Sequence, residues 1–456
     1  MQQLTRDQEK ERYIAAFDRA DAAWADDPTW LQRLRSDALA RFREIPFPTT
    51  KDEDWKYTSV APIVRSPWRF AGGAAQPVLS GSALAHVCLG GEAWTRLVFV
   101  DGAYAPEHSL IGHTGDGVQV MDLAEAALEW PELVAAHLGR YAPAEVNAFT
   151  ALNTAFLHHG AFVSVQPNAN LDMPIHIIFV STGSAGDDLT VSQPRTLVVA
   201  ATGSRVRIVE SYVSPGAGRS LSNAVTEIVL EDGATVEHTK LLLEDEAAFH
   251  IGTTRVHQGR ASAYTSFVLA AGDGLARNQL DVMLDDEGAA CTLDGLYVPS
   301  GTQHIDNHTM IDHRMPHCTS RQLYKGVMSD HSRAVFNGKV VVRPGAQKTD
   351  AQQQNRNLLI SDDATIDAKP QLEIFADDVK CTHGATVGQL DEDAYFYLLS
   401  RGIPAARARA LLTYAFASDV LERVQLEPLR ACLTHLLLER LEPDAAVELM
   451  AQEPRA

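Results

Sequence analysis

The residues with the clearest chemical potential are Cys381 and His383, separated by Thr382 and followed by Gly384. If the segment is extended, alternate side chains share a face, and two positions apart means Cα atoms about 6.6 to 6.8 Å apart. A thiol and an imidazole then point the same way. Thiolate is the soft ligand for iron and sulfur clusters, and neutral imidazole suits borderline metals. Two donors do not close a site, because clusters are generally held by about four protein ligands. Other residues must converge here, or a second chain must supply them. A strand end carrying an inert cysteine and a hydrogen-bonded histidine fits the same spacing.

A denser group, GTQHIDNHTMIDHRMPHC, holds His304, His308, His313, His317 and Cys318. Helical spacing would make metal pairs of His304 with His308 and of His313 with His317, but Gly301, Asp306-Asn307 and Pro316 argue against a helix. In an extended chain His304 and His308 lie about 13 Å apart, too far to share an ion. Separately held histidines are therefore expected, with metal storage as the competing reading. The pairs Asp285-Asp286, Asp362-Asp363 and Asp377-Asp378 raise polysaccharide cleavage by carboxylates in a groove. Each falls where a turn would be, and Asp suits turns by bonding to nearby backbone.

Several familiar chemistries lack their motifs. Gly338-Lys339 is followed by Val340 and has no glycine five residues before Gly338, so no P-loop is present; HExxH, GxSxG and GxGxxG are also absent.

The elements that must position these residues fall into three blocks. Residues 1–159 read as helical hairpins with some strand: Tyr13, Ile14, Phe17 and then Trp30, Leu31, Leu34, Leu39 recur at helical spacing around the turn Ala-Asp-Asp-Pro at 25–28. Residues 160–388 read as short apolar runs punctuated by turns, with turn glycines at 203, 233, 288 and 345. Such a long, loosely periodic run predicts a mainly β fold, a right-handed parallel β-helix in which each coil buries its apolar face against the next. A sandwich domain would finish in roughly 100 residues. Residues 389–456 return to helix, with stripes Leu412, Phe416, Val420, Val424 and Leu429, Leu433, Leu436, Leu437, Leu441. These stripes suit an internal core or a docking surface.

The 456 residues carry 39 Lys and Arg against 59 Asp and Glu, a formal charge of −20. That charge opposes binding to nucleic acids and anionic membranes through a broad basic surface. Apolar runs fall well short of the roughly 20 residues of a membrane span. With the polar start MQQLTRDQEKER, a cytoplasmic protein is expected. The five cysteines are spread without a CxxC pair, which predicts reduced thiols.

Residues 319–404, from SRQLYKGVMSDHSRAVFNGKVVV through NLLISDDATIDAKPQLEIFADDVKCTHGATVGQL, closely resemble the SufB/SufD family of iron-sulfur cluster assembly proteins. LNTAFLHHG and MPIHI within 152–177 resemble it too, as does PTTKDEDWKYT at 48–58. Glu53, Trp55, Lys56, Tyr57 and Thr58 resemble the SufD branch. Gly384 stands where SufB has a glutamate, and no cysteine lies between Cys318 and Cys381 where SufB carries its sulfur acceptor. The resemblance implies a β-helix flanked by helical regions, pairing with SufB through the late strands, and a helical module at 389–456 that docks the ABC-type ATPase SufC. It implies a non-catalytic scaffold that tightly holds no cofactor alone, with transient iron or cluster at the SufB seam. His383 is the expected ligand and Cys381 the weaker one. An exposed edge coil at the end of the solenoid leaves the choice between monomer and homodimer open when SufB is missing. A stand-alone β-helix lyase or hydrolase is the alternative.

Overall fold

The computed structural model describes residues 6–21, 24–71, 94–112, 115, 117–184, 186–216, 218–272 and 274–441. Through the middle of the chain each strand pairs in parallel with the strand after next. Thr319–Met328 pairs with Asp350–Leu359, while the intervening Arg333–Val342 pairs with Thr365–Ile374. Each coil therefore gives one strand to each of two facing sheets. Phe249 pairs with Leu275 and Arg333 with Thr365, so one coil in this part of the chain takes 26 to 32 residues. This is the expected parallel β-helix, with about 7 turns.

The period-two pattern explains the stacking. In Arg333–Val342, Ala334, Phe336, Val340 and Val342 enter the core between the sheets, while Arg333 and Lys339 face outward. Parallel register repeats the inward set from coil to coil, so a continuous core grows by one layer per turn. Turn glycines Gly203 and Gly233 adopt φ of 69° and 68°, a region that favours glycine. Gly345 is not in that region.

The helices Arg6–Asp21 and Thr29–Glu44 form the expected N-terminal hairpin and pack with the buried helix Ala148–Ala155. Asn147 caps that last helix, its side chain accepting from the Thr150 amide at 2.9 Å. Asn153 then donates to the carbonyls of Pro194 at 2.9 Å and Asn223 at 2.8 Å, tying the helix to the solenoid. Residues 49–58 cross the outer face of the first sheet as a strap. Buried Trp55 stacks on the Arg277 guanidinium at 3.8 Å, and Glu53 pairs with Lys369.

After the solenoid, Asp391 caps the helix Glu392–Ser400 by accepting from the Ala394 amide at 2.9 Å. Gly402, at φ 82°, and Pro404 end it as expected. The helices Ala405–Leu421 and Glu427–Leu441 cover the outer face of the second sheet, burying Leu421, Leu433 and Leu437 with Leu296, Leu323 and Val327. The buried stripe of the first of these is Ala408, Thr413, Ala417, Val420 and Leu421, while Leu412 and Phe416 sit at its margin. Ridge packing against a twisted sheet selects small residues at the closest approach, which a search for large apolar side chains misses. The last part of the expected helical module, 442–456, lies outside the described residues.

Candidate functional site at the last coil

The solenoid ends on the strand Lys380–Gly388, an edge strand that is hydrogen-bonded on one side, to Asp350–Leu359. Register places Cys381 above Ala351 and His383 above Gln353. Both belong to the inward-facing set, so the extended arrangement expected from the sequence is present. Cys381 is half-buried at the margin of the core, and burial pushes its thiol up from the ordinary range, with a smaller contribution from Asp350. This disfavours the thiolate that a metal needs. His383 points the same way but is exposed, because no further coil covers it. No hydrogen bond or ion pair engages its ring among the described residues.

The rest of the coil is similarly bare. Val387, in register above Asn357, is 53% exposed, and Ile374 and Phe375 at the end of the neighbouring strand are also exposed. In every earlier coil the corresponding layer is covered by the next one.

The other candidate groups do not assemble into a site. His304 shares a 2.9 Å hydrogen bond with the Thr58 hydroxyl, and His308 faces Asp306 at 3.0 Å. His313 is bonded to Ser320 at 2.9 Å, and burial lowers it to about 4. His317 is exposed. The segment His304–His313 is a strand, so His304 and His308 share its outer face four residues apart while His313 points into the solenoid. Among the described residues no group of three or more His, Cys, Asp or Glu side chains is arranged around a common metal position. The acidic pairs are turn residues with local partners: Asp285 with His257 at 2.6 Å and Arg314 at 2.7 Å, Asp286 with Arg260 at 3.4 Å, and Asp378 with Lys348. Among the described residues these pairs do not converge on a shared groove. Of the thiols expected to be reduced, Cys291, Cys318 and Cys381 are free and Cys432 is disulfide-bonded, while Cys88 lies outside the described residues. A bridge made by tertiary proximity leaves no spacing signature in the chain.

One feature escaped the sequence reading, a polar network inside the solenoid. Glu210 accepts from the Tyr212 hydroxyl at 2.6 Å and from Thr226 at 2.9 Å, and faces His238 Nε2 at 3.0 Å. Burial opposes its charge, but His238, Lys240 and Tyr212 prevail and hold the carboxyl at about 2. Glu244 accepts from Ser222 at 2.6 Å and Ser181 at 2.9 Å and faces His250 at 2.9 Å. Buried Lys240 interacts electrostatically with both carboxylates. The signal was present in TVEHTKLLL, where alternation puts His238 and Lys240 on the same face as Val236 and Leu242.

Comparison with known proteins accounts for this architecture. Residues 7–177 match the family model for the SufBD protein N-terminal region, and residues 179–416 match that for the SUF system FeS cluster assembly SufBD core domain. The chain belongs to the SufBD family of iron-sulfur cluster assembly proteins. It is 33% identical over 411 residues to an iron-sulfur cluster assembly SufBD family protein of Synechocystis, covering 88% of this chain and 89% of the relative. The SufD proteins of Escherichia coli and Bacillus subtilis are 32% and 27% identical, covering 86% and 91% of this chain and 89% and 95% of theirs. The family resemblance read from 48–58, 152–177 and 319–404 thus extends along most of the chain, and SufD proteins are among its relatives. Among the described residues no helix is long and apolar enough to cross a membrane.

Proposed function

We propose that this chain is a non-catalytic scaffold subunit of a SUF assembly complex, pairing with SufB through its last coil and docking the ATPase SufC on its C-terminal helices. In this reading His383 binds iron or the nascent cluster at the SufB seam, and Cys381 is the weaker ligand. Iron and sulfide are cargo, completed by donors from the partner.

The observation that carries the reading is the uncovered end of the solenoid. A nine-residue, in-register edge strand with inward-type residues exposed is a pairing surface that a protein acting alone would normally blunt. A matching coil from another chain would cover Val387, Ile374 and Phe375 and enclose His383. Two copies could satisfy the same edge through a two-fold axis when SufB is absent.

On the C-terminal helices, Phe396 and Tyr397 are 71% and 55% exposed, with Leu399 and Leu411 also exposed. This supports a docking surface distinct from the face that rests on the solenoid. Nucleotide-driven motion of SufC would reach the seam through these helices, and ATP hydrolysis would belong to SufC, since this chain has no P-loop motif.

The partner assignment is tested by co-expressing this chain, tagged, with its candidate SufB and SufC. Substituting Val387→Glu should release SufB while SufC stays bound, and Phe396→Glu should do the reverse. Unchanged recovery of both partners with both variants would refute the assigned surfaces.

A further inference from the structure

The column beneath His383 is polar and directional. Register stacks Gln322, Gln353 and His383 on successive coils of the second sheet, all facing inward. Gln353 Nε2 donates to Gln322 Oε1 at 2.8 Å, and Gln322 Nε2 donates to the Thr309 hydroxyl at 2.7 Å. Both glutamines are nearly fully buried. Gly338 on the opposite wall leaves room for this column, since a Cβ there would lie 2.5 Å from Gln353 Nε2. With its nitrogen committed downward, Gln353 is left with a buried Oε1 that has no hydrogen-bond partner. A buried, unmade acceptor is costly. The side chain on the next rung, about 4.8 Å along the sheet, is His383, whose ring is likewise unengaged.

We propose that Gln353 is a positioning residue for His383: its side-chain oxygen accepts a hydrogen bond from one imidazole nitrogen and so presents the other, unprotonated nitrogen to the metal. This rests on the reading of His383 as a ligand. Imidazole ligands generally donate their second N–H to a carbonyl or carboxylate, which sets both tautomer and ring orientation. Gln353 supplies that acceptor from a rigid strand, ahead of metal binding.

The test uses the metal-free full chain with 15N-labelled histidine. The His383 resonances are assigned by their loss in His383→Ala, and the two ring-nitrogen shifts report the tautomer. The native chain should favour one tautomer, and Gln353→Leu should reduce that ratio roughly fivefold, the size expected of one net hydrogen bond. Gln353→Glu, which keeps an oxygen acceptor, should retain the bias. An unchanged ratio in Gln353→Leu, or its loss in both variants, would overturn the proposal. Because this readout involves no metal, it is separable from the ligand reading itself. That reading fails instead if His383→Ala leaves iron in the assembled complex undiminished.

Discussion

The C-terminal helices rest on a carboxylate whose charge opposes their docking. Asp294, on the strand Ala290–Tyr297, lies under the turn after the helix Ala405–Leu421 and pairs with Arg423 at 3.1 Å. The Asp294 side chain is only 5% exposed, whereas that of Arg423 is 48% exposed. Water therefore screens the cation while the carboxylate loses its hydration. Burial outweighs the attraction, and the Asp294 carboxyl is pushed up from 3.8 to about 6. When the helices lift, the carboxyl regains water and its ordinary value. At 1.36 kcal/mol per pKa unit, ionised Asp294 then weakens docking by about 3 kcal/mol at neutral pH.

The sign follows from proton binding. Between pH 3.8 and about 6 the docked state holds more protons than the undocked one, so docking weakens as pH rises through that window and levels off above it. Asp294→Asn removes the charge and keeps an oxygen for Arg423. Native-state hydrogen exchange of the amides in Ala405–Leu421, corrected for intrinsic rates, measures the effect. Protection in the variant relative to the native chain should be about two- to threefold at pH 4 and rise to roughly a hundredfold above pH 7. A ratio that does not vary with pH, or weaker protection in the variant at pH 7, would refute the reasoning.

Three further outcomes are expected. Glu227 is fully buried, pairs with Arg195 and accepts from the amides of Gly139, Tyr141 and Ala142 at 2.8 to 3.0 Å, so Glu227→Ala should destabilise the N-terminal half by about 3 to 5 kcal/mol in denaturant unfolding. A loss under 1 kcal/mol would show that the pair does not hold that region. A Cβ at Gly295 would lie 2.5 Å from the Tyr324 ring inside the core, so Gly295→Ala should lower stability by about 1 to 3 kcal/mol, and an unchanged unfolding midpoint would contradict the packing. In the native chain Cys381 should be alkylated before the buried Cys291 and Cys318, at a rate still climbing above pH 9, as followed by mass spectrometry of the labelled peptides. Faster labelling of either buried thiol would contradict the packing of the core.

The solenoid was legible because its rule is local. Alternating apolar runs and glycine turns recur coil after coil, and Gly203, Gly233 and Gly288 do adopt the left-handed conformation that such turns use. The Cys381/His383 face was legible for the same reason, since a strand fixes which side chains share a face. What depends on distant pairing was not. The segment 49–58 carries a family motif, but its place as a strap was not legible, because its anchors Arg277, His304, Asp306 and Lys369 lie more than 200 residues away. That His383 stands exposed at the open end, and that Gln353 below it keeps a free oxygen, follows from where the stack of coils stops. No periodicity in the chain marks that point.

The most direct test of the account is the metal content of the assembled complex. This chain, tagged and co-expressed with its candidate SufB and SufC, is purified anaerobically with His383 native or changed to Ala, and iron and sulfide are measured per complex. The account predicts that both versions recover all three subunits and that iron and sulfide fall sharply with His383→Ala. A variant complex that is intact and carries the native amount of both would contradict the assignment of His383 to the assembly site.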